Sequence, residues 1–149
     1  MKVCLVCSSG GHLLELYRLK SAWDKNQRFW VSFPGHDSDC LLRDERVLYG
    51  YHPTNRNLWN LFRNFLVAWR VLRKEQPDVI VSTGAGLAIP FFYLGRLFHI
   101  PAVYIESMTR TQNLSLTGRL VYPVAIRFLV QWPELAGRYS RADFCGRVL

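Results

Sequence analysis

Six short runs, each apolar almost from end to end, recur along the chain at 3–7, 28–33, 46–51, 78–82, 102–105 and 128–131. A strand with one face in water alternates apolar and polar residues, whereas a strand covered on both faces does not. Between the runs, apolar residues recur at helical spacing, predicting helices over 12–23, 58–75, 88–98, 117–125 and 133–139. Alternation of this kind specifies an α/β fold, Rossmann-like, with a mostly parallel sheet and helices on both faces. A chain of 149 residues, half of them hydrophobic, builds one such core, so a single domain over 1–149 is expected and disorder is excluded.

The stretch 79–105 is apolar enough to suggest a membrane span, but its punctuation says otherwise. Gln76-Pro77-Asp78 opens a strand, Gly84-Ala85-Gly86 makes a turn, Pro90 suits a first helical turn, and Ile100-Pro101 starts another strand. The apolar stretch after Met1-Lys2 reaches Ser8-Ser9-Gly10-Gly11 too soon for a signal-peptide core, which predicts a cytoplasmic chain.

Cys4, Cys7, Cys40 and Cys145 lack the density of a disulfide scaffold and are expected to be reduced. Cys4 and Cys7 fall three apart in a strand, so they point to opposite faces and serve packing rather than a metal. A cysteine-phosphatase reading of 7–13 needs an arginine where Leu13 stands. His36, His52 and His99 have no partner by spacing, and neither a metal nor a cofactor is expected.

The formal charge is +8, from 19 Lys and Arg against 11 Asp and Glu. Much of the excess lies at 56–74, where Arg56, Arg63, Arg70, Arg73 and Lys74 meet no acidic residue. At helical spacing Leu58, Leu61, Phe62, Phe65, Trp69 and Leu72 share one face, expected to pack on the sheet. Arg63, Arg70 and Lys74 form a stripe opposite, with Trp59 and Leu66 on its shoulder. Basic and aromatic residues beside a broad apolar face suit an anionic bilayer surface, and equally a core helix with a solvated basic side. No recognition motif accompanies the patch, so nucleic acid is not expected as a partner.

Three loops carry candidate chemistry. Ser8, Ser9, Gly10, Gly11 and His12 follow the first strand and open a helix, whose unpaired N–H groups suit an anion such as a diphosphate. His12 is a candidate base near neutral pH, or alternatively only a helix-start contact. Thr83, Gly84, Ala85 and Gly86 form a second turn at the carboxyl end of the sheet, where α/β folds bind ligands. Glu106 and Ser107, then Arg110, Ser115 and Thr117, follow the fifth strand. Glu106 is a candidate base or hydroxyl ligand, or an ion-pair partner of Arg110. Arg110 itself suits a phosphate, which it can grip with two donors.

Taken in order, Ser8-Ser9-Gly10-Gly11-His12, Pro77-Asp78-Val79-Ile80-Val81-Ser82-Thr83-Gly84-Ala85, Tyr104-Ile105-Glu106-Ser107, Ser115-Leu116-Thr117-Gly118-Arg119 and Val130-Gln131-Trp132 carry a resemblance. Together they resemble the PssD-type bacterial polysaccharide proteins. They are also similar to the membrane-anchoring subunit of the eukaryotic N-acetylglucosaminyltransferase that adds the second sugar to dolichol diphosphate. The resemblance implies the amino-terminal, acceptor-side half of a split GT-B glycosyltransferase, related to the single-chain MurG. A separate small PssE-like chain would then supply the nucleotide-sugar half. Also implied is an inverting transfer from a UDP-sugar to a polyprenyl-diphosphate-linked sugar, in exopolysaccharide or capsule synthesis. By that likeness Gly10, Gly11 and His12 face the lipid diphosphate and acceptor sugar, and His12 or Glu106 is the base, with His12 preferred. The amino-terminal membrane helix of eukaryotic members has no counterpart here, which gives Trp59, Arg63, Leu66, Arg70 and Lys74 weight as a peripheral contact at the cytoplasmic face of the plasma membrane. The alternative is a noncatalytic scaffold that recruits and activates its partner.

Overall fold

The computed structural model describes residues 1–148, in which seven strands form one parallel sheet ordered β3-β2-β1-β4-β5-β6-β7. The strands are β1 (Lys2–Cys7), β2 (Gln27–Ser32), β3 (Val47–Tyr49), β4 (Val79–Gly84), β5 (Ala102–Ile105), β6 (Arg127–Val130) and β7 (Ala142–Phe144). The helices are α1 (Gly11–Arg18), α2 (Lys20–Trp23), α3 (His36–Leu41), α4 (Leu58–Glu75), α5 (Ala88–Leu97), α6 (Leu116–Val121) and α7 (Pro133–Arg138). The six expected strands are present. The seventh, Ala142-Asp143-Phe144, is too short and mixed to announce itself as an apolar run. Similarly, α3 is a polar six-residue helix without an apolar period. The helix expected over 12–23 breaks at Leu19, where the Leu19 N–H donates to the Leu16 carbonyl and tightens the last turn.

Strand alternation divides the core in two. Cys4, Val6, Phe29, Val31, Ile80, Tyr104 and Phe128 face α4, α5, α6 and α7. Val3, Leu5, Cys7 and Trp30 face α1 and α2. Cys4 and Cys7 therefore point to opposite faces, as expected, and burial pushes both thiols up, Cys7 to about 12. A thiolate nucleophile is disfavoured at either position. The second face is covered mainly over β1, β2 and β4; Val103 of β5 and Leu129 of β6 stay half-buried.

The amino end of the sheet is closed by ion pairs. Glu75, at the end of α4, receives two hydrogen bonds from Arg46, of 2.8 and 2.6 Å, and one of 2.7 Å from Lys2 Nζ. The hydrogen bonds from Arg46 and Lys2, with their charges behind them, hold its carboxyl down at about 2.

Helix α4 has the expected length but a different inner face. Asn60, Asn64, Ala68 and Leu72, spaced by four, are its buried row. Leu58, Phe62 and Trp69, expected in the core, are exposed, Leu58 to 80%. The cause is polar. Asn64 Nδ2 donates to the Tyr51 carbonyl at 2.9 Å while its Oδ1 accepts the Tyr51 N–H at 2.7 Å, and Asn60 Nδ2 donates to the Pro53 carbonyl. Apolar periodicity cannot register two buried amides that satisfy a loop backbone, and here those amides select which side turns inward.

Candidate functional site

In the sheet order, β2 and β3 lie on one side of β1 and β4 to β7 on the other, so the order reverses between β1 and β4. In such sheets the crevice outside the carboxyl ends of the strands at this switch point is the usual ligand position. The structure brings the two expected glycine turns together at this point. His12 Nδ1 lies 2.8 Å from the Thr83 carbonyl oxygen, and Thr83 Oγ1 donates to the His12 carbonyl at 2.6 Å. A carbonyl accepts only, so the neutral tautomer that fits carries its proton on Nδ1 and presents Nε2 as an acceptor.

Gly84 has φ of +126°, and a Cβ there would come within 2.9 Å of His12 Cε1 and 3.1 Å of Tyr104 Oη. No side chain fits between the turn and the imidazole. Ala85 follows with φ of +73°, an uncommon conformation for a residue with a Cβ, so the turn carries backbone strain beside the histidine. Gly86 packs on Thr54, which draws the β3–α4 loop to the same end of the sheet.

At the other side of the crevice, α1 begins at Gly11 with no side chain capping it. Its first intrahelical bond runs from the Leu14 N–H to the Gly10 carbonyl. The N–H groups of Gly11, His12 and Leu13 thus remain as first-turn donors, with the positive end of the helix behind them. Ser8 and Ser9 are half-buried, and the ground beyond Gly10 and Gly11 is open, since a Cβ on either would meet nothing within 4 Å.

The third loop differs from its expectation. Glu106 is fully buried, not at the surface of the crevice. Its Oε1 accepts the Ser107 N–H at 3.0 Å, and its Oε2 accepts the Ser115 N–H at 2.9 Å and Ser115 Oγ at 3.0 Å. Burial pushes this carboxyl above its ordinary range, against the pull of those hydrogen bonds. No ion pair joins it to Arg110, which is exposed. A Cβ at Gly118 would run into Glu106 Oε2, so the carboxylate is wedged against the start of α6. Ser115 caps α6 by accepting the Gly118 N–H, and Thr117 is half-buried in its first turn. Ser107 Oγ donates to Glu15 Oε1 at 3.0 Å. Ser107, Ser115 and Glu106 therefore brace one another inside the loop.

Sequence reasoning passed over Glu15. It lies one turn after His12 on the buried side of α1, where it accepts from Ser107 Oγ and the Met108 N–H. Trp132 Nε1 donates to the Met108 carbonyl at 2.6 Å, so the turn is held from both sides. An acidic residue between the apolar positions Leu13 and Leu16 was the available signal.

The exposed side of α4 is aromatic at its beginning. Trp59 and Phe62 stack at 6.1 Å and are both exposed, and the Arg63 guanidinium lies 3.6 Å from the Tyr51 ring centre. Leu66, Arg70 and Lys74 continue this exposed surface toward the other end of the helix. No helix among the described residues is long and apolar enough to cross a membrane.

The family described as "Oligosaccharide biosynthesis protein Alg14 like" matches residues 51–148, well over half of the chain. The chain belongs to the Alg14-like family. A Yarrowia lipolytica protein named UDP-N-acetylglucosamine transferase subunit ALG14 is 38% identical, over 97% of this chain and 80% of its own length. The human protein of that name is 22% identical over the whole of this chain and 83% of its own length. Among solved structures, MurG of Acinetobacter baumannii superposes with a TM-score of 0.79 at 17% identity, and a UDP-GlcNAc 2-epimerase of Methanocaldococcus jannaschii with 0.73 at 14%. This Alg14-like chain spans 45% and 46% of those two proteins. At such identity the likeness concerns the fold, and it agrees with the expected Rossmann-like half of a GT-B architecture.

Proposed function

We propose that this Alg14-like chain is the acceptor-binding, membrane-associating subunit of a two-component inverting glycosyltransferase. The observation that carries the reading is His12, held through Nδ1 on Thr83 between two glycine turns at the switch point, with Nε2 left to accept a proton. The donor-side chain is a small PssE-like subunit that binds a UDP-sugar. The acceptor is a saccharide on a polyprenyl diphosphate, and the product enters exopolysaccharide or capsule synthesis at the cytoplasmic face of the plasma membrane. The names of the family's transferase subunits support this class of reaction.

In the proposed step the acceptor hydroxyl oxygen bonds to the anomeric carbon as the bond from that carbon to the UDP oxygen breaks. The hydroxyl proton passes to His12 Nε2, and UDP leaves with the bonding pair. Gly10, Gly11, Ser8 and Ser9 border the acceptor diphosphate, with Gly84, Ala85 and Gly86 opposite and exposed Arg110 on a further phosphate oxygen. Glu106 and Ser107 act as positioning residues, with Ser115 and Thr117 at the start of α6. Trp59 and Leu66 enter the bilayer interface, while Arg63, Arg70 and Lys74 face anionic headgroups.

A scaffold reading, in which the partner carries every catalytic group, is favoured by one observation: Glu106 is sealed from the crevice. Both readings are tested by co-expression with the donor-side chain and a UDP-GlcNAc transfer assay on polyprenyl-diphosphate acceptors in membranes. If His12→Ala retains full turnover in an intact complex, the scaffold is correct. Loss of turnover with the complex preserved assigns His12 to the chemistry.

A further inference from the structure

Gly10 introduces the helix that carries His12, yet its N–H is already taken. It donates to Oδ2 of Asp37, a carboxylate 27 residues further along the chain in the first turn of α3. Asp37 is half-buried and forms no ion pair with any cation among the described residues. The other side-chain hydrogen bonds of α3 are local: Ser38 Oγ to the carbonyls of Phe33 and Gly35, and Cys40 Sγ with His36 Nδ1. The Gly35 turn folds Asp37 back closely, for a Cβ on Gly35 would lie 3.1 Å from Asp37 Oδ1 and 3.9 Å from Ser9 Cβ. A carboxylate of the chain itself thus sits at the edge of a cradle whose remaining ground, beyond Gly10 and Gly11, is open.

We infer that Asp37 is an internal competitor for the acceptor's phosphate groups, holding the Gly10 N–H until a diphosphate displaces it. The inference rests on the reading of this glycine loop as the diphosphate cradle. One N–H donor serves one strong acceptor at a time, so a phosphate oxygen reaches Gly10 only as the carboxylate leaves. An anion that stays beside Asp37 meets like charge at close range, while the carboxylate already gains the attraction of the helix end. A small monoanion therefore offers the loop little that it does not have. A diphosphate spans several donors of the first turn at once and carries more charge, and so outcompetes the side chain. Asp37 in this way sets a threshold that keeps the cradle from filling with stray phosphate and gives it to the lipid-linked acceptor.

The test is titration of inorganic diphosphate into the full chain and its Asp37→Asn and Asp37→Ala variants, read by calorimetry and by the Gly10 amide resonance. Both variants are expected to bind roughly tenfold or more tighter than the native chain, the worth of one charge-assisted hydrogen bond. Circular dichroism confirms the fold of each, and Asp37→Asn retains the shape if Asp37→Ala loosens the turn. Equal or weaker binding by both folded variants, with Gly10 shifting on titration, overturns the role of Asp37 and leaves the cradle standing. If no chain binds diphosphate, the cradle reading falls and the competitor with it.

Discussion

The two ends of the sheet use charge in opposite ways. At the amino end, Glu75 is matched by Arg46 and Lys2, and Asp78 accepts the Lys2 N–H at 2.6 Å, so donors and acceptors meet in pairs. At the carboxyl end, the first-turn donors of α1 face open ground, Glu106 is buried without a cation, and two consecutive residues, Gly84 and Ala85, take positive φ. One end is arranged for stability; the other keeps unsatisfied donors and backbone strain where a ligand would use them. Helix α4 joins the two: Asn60 and Asn64 hold the loop beside the crevice, and Glu75 closes the far end. At the carboxyl end a side chain that only faces the crevice can therefore be replaced at little cost to stability, whereas at the amino end each of the paired side chains contributes to stability.

His12→Ala tests the carboxyl end most directly. In the proposed two-chain complex it is expected to lower kcat by about 10²- to 10⁴-fold, the usual worth of a positioned base. The melting temperature should change little, because the imidazole gives up one hydrogen bond at a half-buried position. A transfer assay alongside calorimetric melting checks both halves. Equal loss of activity and of thermal stability would make His12 a structural member of the β4 turn.

Next in size is Gly118→Ala, which places a methyl group against Glu106 Oε2. The carboxylate has no free space, so Ser107 and Ser115 lose their geometry, at a cost of about 1–3 kcal/mol for overpacking. Denaturant unfolding measures the cost. Activity should fall with it, because the loop that faces the crevice is the part displaced.

Helix α4 offers a graded test. Its aromatic beginning lies beside the crevice-facing loop, while Arg70 and Lys74 approach the paired amino end. Trp59→Ala is expected to weaken binding to anionic vesicles more than Lys74→Gln, which should cost about fivefold, as for one interfacial charge. Vesicle flotation across a salt series separates the contributions, since only the charged one fades with ionic strength. Equal losses from both substitutions would remove the crevice end from the membrane surface.

Much of this arrangement was legible in the sequence. Continuous apolar runs are a direct trace of strands covered on both faces, and the order of glycine turns after β1 and β4 placed His12 and Gly84 at one crevice. What escaped was decided by polar groups acting at long range. The inner face of α4 depends on Asn64 meeting Tyr51, and the burial of Glu106 depends on Ser115 nine residues away. Asp37 and Glu15 gain their partners, the Gly10 N–H and Ser107 Oγ, only through contacts 27 and 92 residues away along the chain. Apolar periodicity reports which residues avoid water, not which polar pairs find each other, so the scaffold was readable and the bracing of the site was not.

The two ends also respond to pH in opposite senses. Glu75 has a folded pKa of about 2, below its ordinary value, so its contribution to stability is complete above about pH 4.5 and lost as pH falls toward 2. Glu106 is shifted the other way. Its folded state binds a proton more readily than the unfolded chain, so its contribution is present below about pH 4.5 and lost as pH rises through the folded pKa. Melting temperatures of Glu75→Gln and Glu106→Gln across this range should therefore deviate from the native curve in opposite directions. Glu75→Gln removes a stabilising pair at neutral pH, and its penalty shrinks in acid, where the native carboxylate is protonated. Glu106→Gln removes the titrating group and turns an amide toward the Ser107 N–H, so its difference from native should grow more unfavourable as the pH falls through the raised folded pKa. Parallel deviations would mean that the carboxyl end is paired as fully as the amino end, and the contrast between them would fail.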